Sequence, residues 1–507
     1  MLRRDGDVDS CATNATRTAF RVTFVGSTSL AISIRTDESN LRRGLTSIHV
    51  VGIVVSAIVG TGIFIRSASM MQDIGTAPLL MAAWIVAGLL TLAGALSYAE
   101  LCTLMPRAGG EYVFLRETFG APAAFLFGWM RFVVGGGMTA AMAVGAATFL
   151  ADAFSLPAAW WQASLPIFGF HFQLDWGPRQ VIALSAIGML AALNCRSVRA
   201  SGTTQTVFAG FKVAVLLILI VAAVLTIYSR GVVRPEMMVS ATAGTNGGFA
   251  LAILAALQAY NGWVFAAMLG GEVTDSGRKY ARDIIIGTGT VIALYVLINI
   301  GYVTLLTPSE IASSNSAAHP EALTVGAKLA RVLFGSWAGA VMSVTFAISA
   351  LGALHCNLLS VPRISYAMAR DGLFFRALAI LDRRTSIPRA AVVSYAVWTA
   401  ILALLGGFDR LSNMAVFSFY LFYCANVVAL MLLRRRRPNA ERPFKVPGYP
   451  WTPLAFLVAS VSMLVATTMR GSPEVIWALA LLALGLPAYV VFKRIYAPAV
   501  VGSTASA

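Results

Sequence analysis

Two short stretches of this 507-residue chain place helix-spoiling residues inside otherwise apolar runs. Residues 50–65 read VVGIVVSAIVGTGIFI, with Gly60-Thr61-Gly62 near the middle. Glycine weakens a helix by about 1 kcal/mol against alanine, and here two glycines flank a β-branched residue. A second apolar run is interrupted at Ala259-Tyr260-Asn261-Gly262-Trp263. A helix broken at such a point leaves free N–H groups at the start of one half and free C=O groups at the end of the other. The amide end carries partial positive charge and suits a carboxylate. The carbonyl end suits an ammonium group, so a site offering both matches a zwitterionic α-amino acid. The same glycines also serve close packing of helices in membranes, and the residues alone leave both uses open.

Charged side chains inside apolar runs are the next candidates. Lys212 lies in GFKVAVLLILI. A lysine at the centre of a membrane helix costs about 2.5–3.5 kcal/mol, so it should face the protein interior. Proton coupling through it and a structural tether are both open. Arg131 lies a dozen residues into its run, a depth of about 18 Å at 1.5 Å per residue. It either meets a substrate carboxylate or pairs within the scaffold, and the second is favoured. Arg66, four residues past the first break, is expected near an external vestibule. His355 is titratable, but a lone membrane histidine is more often a hydrogen-bonded packing residue. Glu100, Glu111, Glu272 and Arg370 are expected at cytoplasmic helix ends, either as ion pairs that alternate between conformations or as solvated interfacial charges. No GxxxxGK[ST] phosphate loop occurs, and the four histidines show no metal-ligand pairing. No enzyme chemistry, metal or cofactor is expected. The five cysteines (11, 102, 195, 356 and 424) form no CxxC pattern and suggest no disulfide framework.

The elements that position these residues follow from composition. The chain is 58% hydrophobic and only 12% charged, with a mean hydropathy of +0.77. A bilayer core about 30 Å thick needs roughly 20 apolar residues per helix, and backbone hydrogen bonding restricts spans to helices or closed barrels. The runs are long and lack period-2 alternation, so helices are expected. Twelve spans are predicted near 45–70, 77–104, 119–150, 179–197, 204–228, 247–272, 283–307, 330–362, 389–407, 410–433, 450–469 and 474–494. With the N-terminus placed in the cytoplasm, 23 of the 38 Lys and Arg fall in cytoplasmic segments and 7 in external ones. That is a positive-inside pattern with both termini cytoplasmic. The net charge of +16 therefore reflects topology and contact with anionic lipid heads at Arg434–Arg437. Nucleic-acid binding is not expected. Residues 1–40 read as a disordered cytoplasmic tail or a start placed too early. Residues 41–228 hold spans 1–5, residues 229–433 spans 6–10, residues 434–495 a basic loop and spans 11–12, and residues 496–507 a cytoplasmic tail. The breaks in spans 1 and 6 are five helices apart, as inverted repeats of five would place them.

Five stretches resemble the amino acid–polyamine–organocation superfamily, in particular its bacterial amino acid permeases and L-type amino acid transporters. They are VGTGIF (59–64), SYAELCTLMPRAGGEYVFLRETFG (97–120), AYNGWVFAAMLGGEV (259–273), PRISYAMARDGLF (362–374) and RPFKVPGYPWTPL (442–454). The resemblance covers about residues 41–494. It implies a polytopic all-α protein with a LeuT-like fold: a 5+5 inverted repeat, discontinuous helices 1 and 6, and two peripheral helices. It also implies a secondary active or exchange transporter of amino acids working by alternating access, without sodium. Transport of polyamines or other organic cations on the same fold is the alternative. By position, the amides of Gly60, Thr61 and Gly62 would hold the substrate carboxylate. Carbonyls near Ile58 and of Gln258, Ala259 and Asn261 would accept from the ammonium, with Tyr260 and Gly262 completing the second break. Lys212 would stand where sodium-coupled relatives hold an ion and would tie span 1 to span 8. Gln258 stands where relatives often carry a large aromatic lid. Glutamine can cover a site and hydrogen-bond to it, but cannot stack. The expected partners are an amino acid substrate and the lipid bilayer, with protons left open. No external cysteine offers a link to a second chain, so an accessory subunit is not expected.

Overall fold

The computed structural model describes residues 41–157, 159–167, 170–230, 247–319, 321–405, 408–469, 471 and 473–496. The two terminal segments assigned from sequence, 1–40 and most of 496–507, lie outside the described residues. The first apolar run forms α1 (Ser47–Ile58) and α2 (Gly62–Ile74), separated at residues 59–61. It is followed by α3 (Ala77–Leu104), the short α4 (Glu111–Phe119), α5 (Ala121–Val133) and α6 (Gly135–Ala153). A hairpin, β1 (Trp161–Ile167) and β2 (Phe170–Trp176), pairs antiparallel with Trp161 opposite Trp176. Next come α7 (Pro178–Asn194), α8 (Val198–Arg230), α9 (Gly248–Ala259) and the four-residue α10 (Phe265–Met268). The remaining helices are α11 (Arg278–Leu305), α12 (Pro308–Ala312), α13 (Val325–Phe334), α14 (Ala338–Arg370), α15 (Arg389–Leu405), α16 (Phe408–Arg436), α17 (Trp451–Met469) and α18 (Pro473–Tyr496).

A helix stands at each of the twelve predicted positions. Among the described residues, nine helical units are long and apolar enough to cross a membrane, with α1 and α2 counted as one unit and α5 and α6 as another. At the other three positions stand α7 and α15, of 17 residues each, and the 12-residue α9. The chain is a polytopic α-helical membrane protein. Burial separates its layers. The most apolar window of α14 is 83% buried, against 28% in α17 and 17% in α18. So α14 is a core post, and the last two helices turn most of their surface outward, as lipid-facing helices do.

Three departures from the sequence reading have local causes. The hairpin at 161–176 replaces an expected loop; Pro166 and Gly169 mask its short strands in the sequence. Span 8 does not end at Pro362 but continues to Arg370, so Arg363 is helical rather than a loop residue. Proline costs a helix interior about 3 kcal/mol, yet residues 353–369 are all buried, and that packing overrides the local preference. Span 3 is two helices that meet at Val134, just before Gly135-Gly136-Gly137. A side chain at Gly136 would meet the Trp398 ring at 2.6 Å, so the missing Cβ lets α15 approach.

Candidate functional site

The two breaks lie against each other. Gly262 has φ +146°, and a Cβ there would sit 2.5 Å from the Ala57 carbonyl carbon and 2.7 Å from the Ile58 nitrogen. Only glycine gives both this backbone shape and this approach. A Cβ on Gly62 would lie 3.1 Å from Ala259 Cβ, whereas one on Gly60 meets nothing nearer than the Ile58 carbonyl oxygen at 3.9 Å. The carbonyl ends are held from behind. The Tyr295 hydroxyl donates to Ile58 O at 3.0 Å and reaches Ala259 O at 3.5 Å. The Gly60 amide in turn interacts with the Tyr295 oxygen. Ser349 Oγ donates to Val59 O at 3.2 Å. A carbonyl oxygen has two lone pairs, so these bonds orient the group and leave acceptor capacity. Among the described residues, no turn carbonyl accepts from the Thr61 or Gly62 amide, the normal state of amides opening a helix.

Both breaks line one cavity of about 970 Å³. Of the sequence-derived site residues, Ile58, Gly60, Thr61, Gly62, Gln258, Ala259 and Asn261 line it. Tyr260 and Gly262 do not. Tyr260 is fully buried, packs on Trp84 and Tyr295, and directs its hydroxyl to Trp84 O. Gly262 faces the first break instead. The wall also includes Asn357 of α14 and Tyr423 of α16, neither of which had been singled out. Tyr423 donates to Asn261 Oδ1 at 2.9 Å, so α16 fixes the orientation of a break residue. Arg66 lines the cavity and donates to Gln258 Oε1 at 3.0 Å.

Arg131 makes the scaffold pairing that was favoured for it. It lines the cavity and pairs with Glu111 at 3.1 Å, and both side chains are buried. Its guanidinium sits 3.8 Å from the Phe419 ring centroid. Tyr98 and Asn426 also donate to Glu111. Lys212 lies behind the first break rather than in the cavity wall. Its ammonium donates to Ser56 O at 2.6 Å. The bond to span 8 comes instead from Gln205, about two turns earlier, whose amide donates to Gly352 O at 3.1 Å and whose carbonyl oxygen lies 2.6 Å from His355 Nδ1. A Cβ on Gly352 would stand 3.0 Å from the Lys212 ammonium, so glycine there gives span 8 a close approach to the lysine.

Asp73, Asn315, Ser316 and Glu474 also line the cavity, as do Arg131 and Phe265. Elsewhere the helix ends are joined by buried ion pairs. Arg363 makes two bonds to Glu272, at 3.0 and 3.1 Å, and both side chains are fully buried. Glu100 accepts from Arg434 at 2.5 and 2.8 Å and from the Val446 amide at 2.7 Å, and lies 3.2 Å from Arg442. The four acidic or basic residues grouped from sequence are therefore not partners of one another; Arg370 lies over the Tyr366 ring instead. Four of the five matched stretches meet here. Residues 97–120 contact 259–273 through Gly109 N to Met268 O at 2.9 Å, and 362–374 through Tyr112 to Asp371 at 2.7 Å. They contact 442–454 through Glu100.

Comparison with known proteins agrees with this arrangement. Residues 45–488 match the profile of the family described as amino acid permease. The serine/threonine exchanger SteT of Bacillus subtilis is 28% identical over 471 residues, covering 91% of this chain and 99% of that protein. The large neutral amino acids transporter small subunit 2 of Oryctolagus cuniculus is 30% identical, covering 80% of this chain and 72% of its own. The b(0,+)-type amino acid transporter 1 of Mus musculus is 29% identical, covering 82% and 80%. With two helix breaks facing one cavity and a family match across nearly the whole membrane region, the chain belongs to the amino acid permease family.

Proposed function

We propose that this protein is a secondary carrier that moves amino acids across the cell membrane by alternating access, as an exchanger or a gradient-driven transporter without sodium. The observation that carries this reading is the shared cavity. The Thr61 and Gly62 amides open one helix there, and the Ala259 carbonyl closes another. That pairing suits a carboxylate and an ammonium held on one α-carbon. Selectivity for the side chain then falls to Asn261, Asn357, Tyr423 and the apolar residues beside them. Relatives named for serine, threonine and large neutral amino acids support a neutral substrate.

The fold in this proposal is a LeuT-like bundle of twelve spans with inverted repeats. Helix pairing supports it. Span 3 packs on spans 4 and 10, and span 8 packs on spans 9 and 5, the same contacts shifted by five. Spans 1 and 7 pair as spans 6 and 2 do. With both termini in the cytoplasm, the cavity faces outward and the ion-paired end faces the cytoplasm. Lys212 takes the place of a bound cation by donating to the span-1 carbonyl of Ser56. The carrier is proposed to act without an accessory chain.

The test is uptake of labelled amino acids into proteoliposomes, with and without unlabelled amino acid inside. Stimulated uptake by internal substrate is expected for an exchanger. If no amino acid enters under any imposed gradient, the carrier reading fails.

A further inference from the structure

The side of the breaks that faces the cavity mouth carries a charge that the carrier reading alone does not explain. Arg66 stands one turn into α2 and Gln258 is the penultimate residue of α9, so their hydrogen bond of 3.0 Å joins the outer halves of both broken helices. Gln258 is a neutral acceptor. Among the described residues, no carboxylate pairs with Arg66, and its side chain is exposed to the cavity it lines. The other guanidinium of the wall, Arg131, is matched by Glu111. The carboxylates that line the cavity stand farther out. Asp73 is seven residues along α2, about 10 Å from Arg66 by helix rise, and Glu474 is in the first turn of α18. A substrate reaching the breaks therefore passes from acidic residues to an unmatched positive charge.

From this geometry we infer that Arg66, held in place by Gln258, is a charge filter: it admits amino acids with neutral side chains and turns away those with cationic ones. The inference rests on the carrier reading above and names its substrate class. Two like charges about 8 Å apart, at an effective dielectric of about 20, disfavour binding by roughly thirtyfold. The same guanidinium attracts the substrate carboxylate, so its removal weakens neutral substrates somewhat and cationic ones much less, or not at all. The ratio between the two is therefore the quantity to read.

The experiment measures competition by leucine, glutamine, lysine and arginine against a labelled neutral amino acid in proteoliposomes of the full chain. In the wild type, lysine and arginine are expected to compete at least tenfold more weakly than the neutral pair. Arg66→Gln should narrow that gap at least tenfold, and Arg66→Lys should preserve it. Gln258→Glu should narrow it with Arg66 still present, because a carboxylate then matches the guanidinium. Equal competition by lysine in the wild type overturns the filter, as does an unchanged gap in both Arg66→Gln and Gln258→Glu. Where a variant no longer transports, thermal shift of the purified protein with the same four amino acids gives the ratio. Loss of all binding in both variants, with the protein folded, overturns the filter in favour of a structural tie. If no amino acid competes in the wild type, it is the carrier reading that falls.

Discussion

Three glycines at the breaks form a graded series with costs that follow from their surroundings. Gly262→Ala is the severe member. Its Cβ must occupy a point 2.5 Å from Ala57 C, 2.6 Å from Ala57 O and 2.7 Å from Ile58 N, where ordinary contact starts at 3.4 Å. The shortfall of 0.9 Å (3.4 − 2.5) falls on backbone atoms, which have no rotamer to escape into. Overpacking of this kind costs about 1–3 kcal/mol. A non-glycine residue at φ +146° adds roughly 1–3 kcal/mol of strain. The total is roughly 2–6 kcal/mol, with the two breaks pushed apart. Gly62→Ala meets the Ala259 Cβ at 3.1 Å, a shortfall of 0.3 Å, and is expected to cost only about 1 kcal/mol. Gly60→Ala has open space, and its effect on stability should stay within about 0.5 kcal/mol. Its methyl group instead enters the cavity, so it tests the site without disturbing the packing. The assay is thermal unfolding of purified protein in detergent, followed by the shift produced by saturating substrate. The expected order of melting is Gly60→Ala highest, Gly62→Ala next and Gly262→Ala lowest, with the substrate-induced shift reduced already in Gly60→Ala. A Gly262→Ala protein that melts with the wild type would refute the close approach of the breaks. A Gly60→Ala protein with full substrate response would refute their role in binding.

Other perturbations read other parts of the design. Glu272→Gln leaves Arg363 buried against a neutral partner and should lower stability by about 3–5 kcal/mol; the double variant Glu272→Gln/Arg363→Met should recover part of it, and equal melting of all three proteins would count against the pair. Lys212→Met removes the donor to Ser56 O, a charged hydrogen bond worth about 1.5–3 kcal/mol, so uptake should fall roughly tenfold or more with the protein still inserted. Wild-type uptake by that variant would sink the tether. Replacing sodium by choline should leave uptake unchanged, and a sodium requirement would overturn the assignment of Lys212 to the cation position.

What could be read from sequence divides by the range of the forces involved. The breaks are visible because Gly60-Thr61-Gly62 and Asn261-Gly262 stand out within runs that are otherwise strongly apolar. Helix positions were visible for the same reason, including those of the short α9 and α15. Partners were not. The tyrosine that holds the Ile58 carbonyl is 237 residues away, and Arg363 is 91 residues from Glu272. No local pattern reports either pairing. Pro362 misled in the opposite direction, because a local rule ended a helix that burial continues. Tyr260 lies within the second break, yet its ring turns to Trp84 and Tyr295, a choice made by packing against α3 and α11 rather than by its sequence neighbours. Gln258 stood out as a departure from an aromatic lid, but its bond to Arg66 required the two breaks to be placed side by side.

The ion pairs at the closed end gain their strength from the closure itself. Glu272 and Arg363 are fully buried, so separating them while dry is strongly unfavourable. Once water enters, each charge is solvated and the pair contributes only about 0–1 kcal/mol, like any exposed one. The Glu111–Arg131 pair at the cavity wall obeys the same rule. In the proposed carrier such pairs would act as conditional latches, strong in a conformation that excludes water and weak in one that admits it. Beside them the backbone itself is closely packed. A Cβ on Gly110 would lie 2.5 Å from the Ala267 carbonyl carbon, so this closure depends on bare backbone meeting backbone. A carrier of the proposed kind needs its closed end to be stable yet able to open, and a substrate shifts that equilibrium only by its difference in affinity between the two states. Latches that lose their strength as they open let a difference of a few kcal/mol suffice, because the charges released at one end find water instead of an apolar interior.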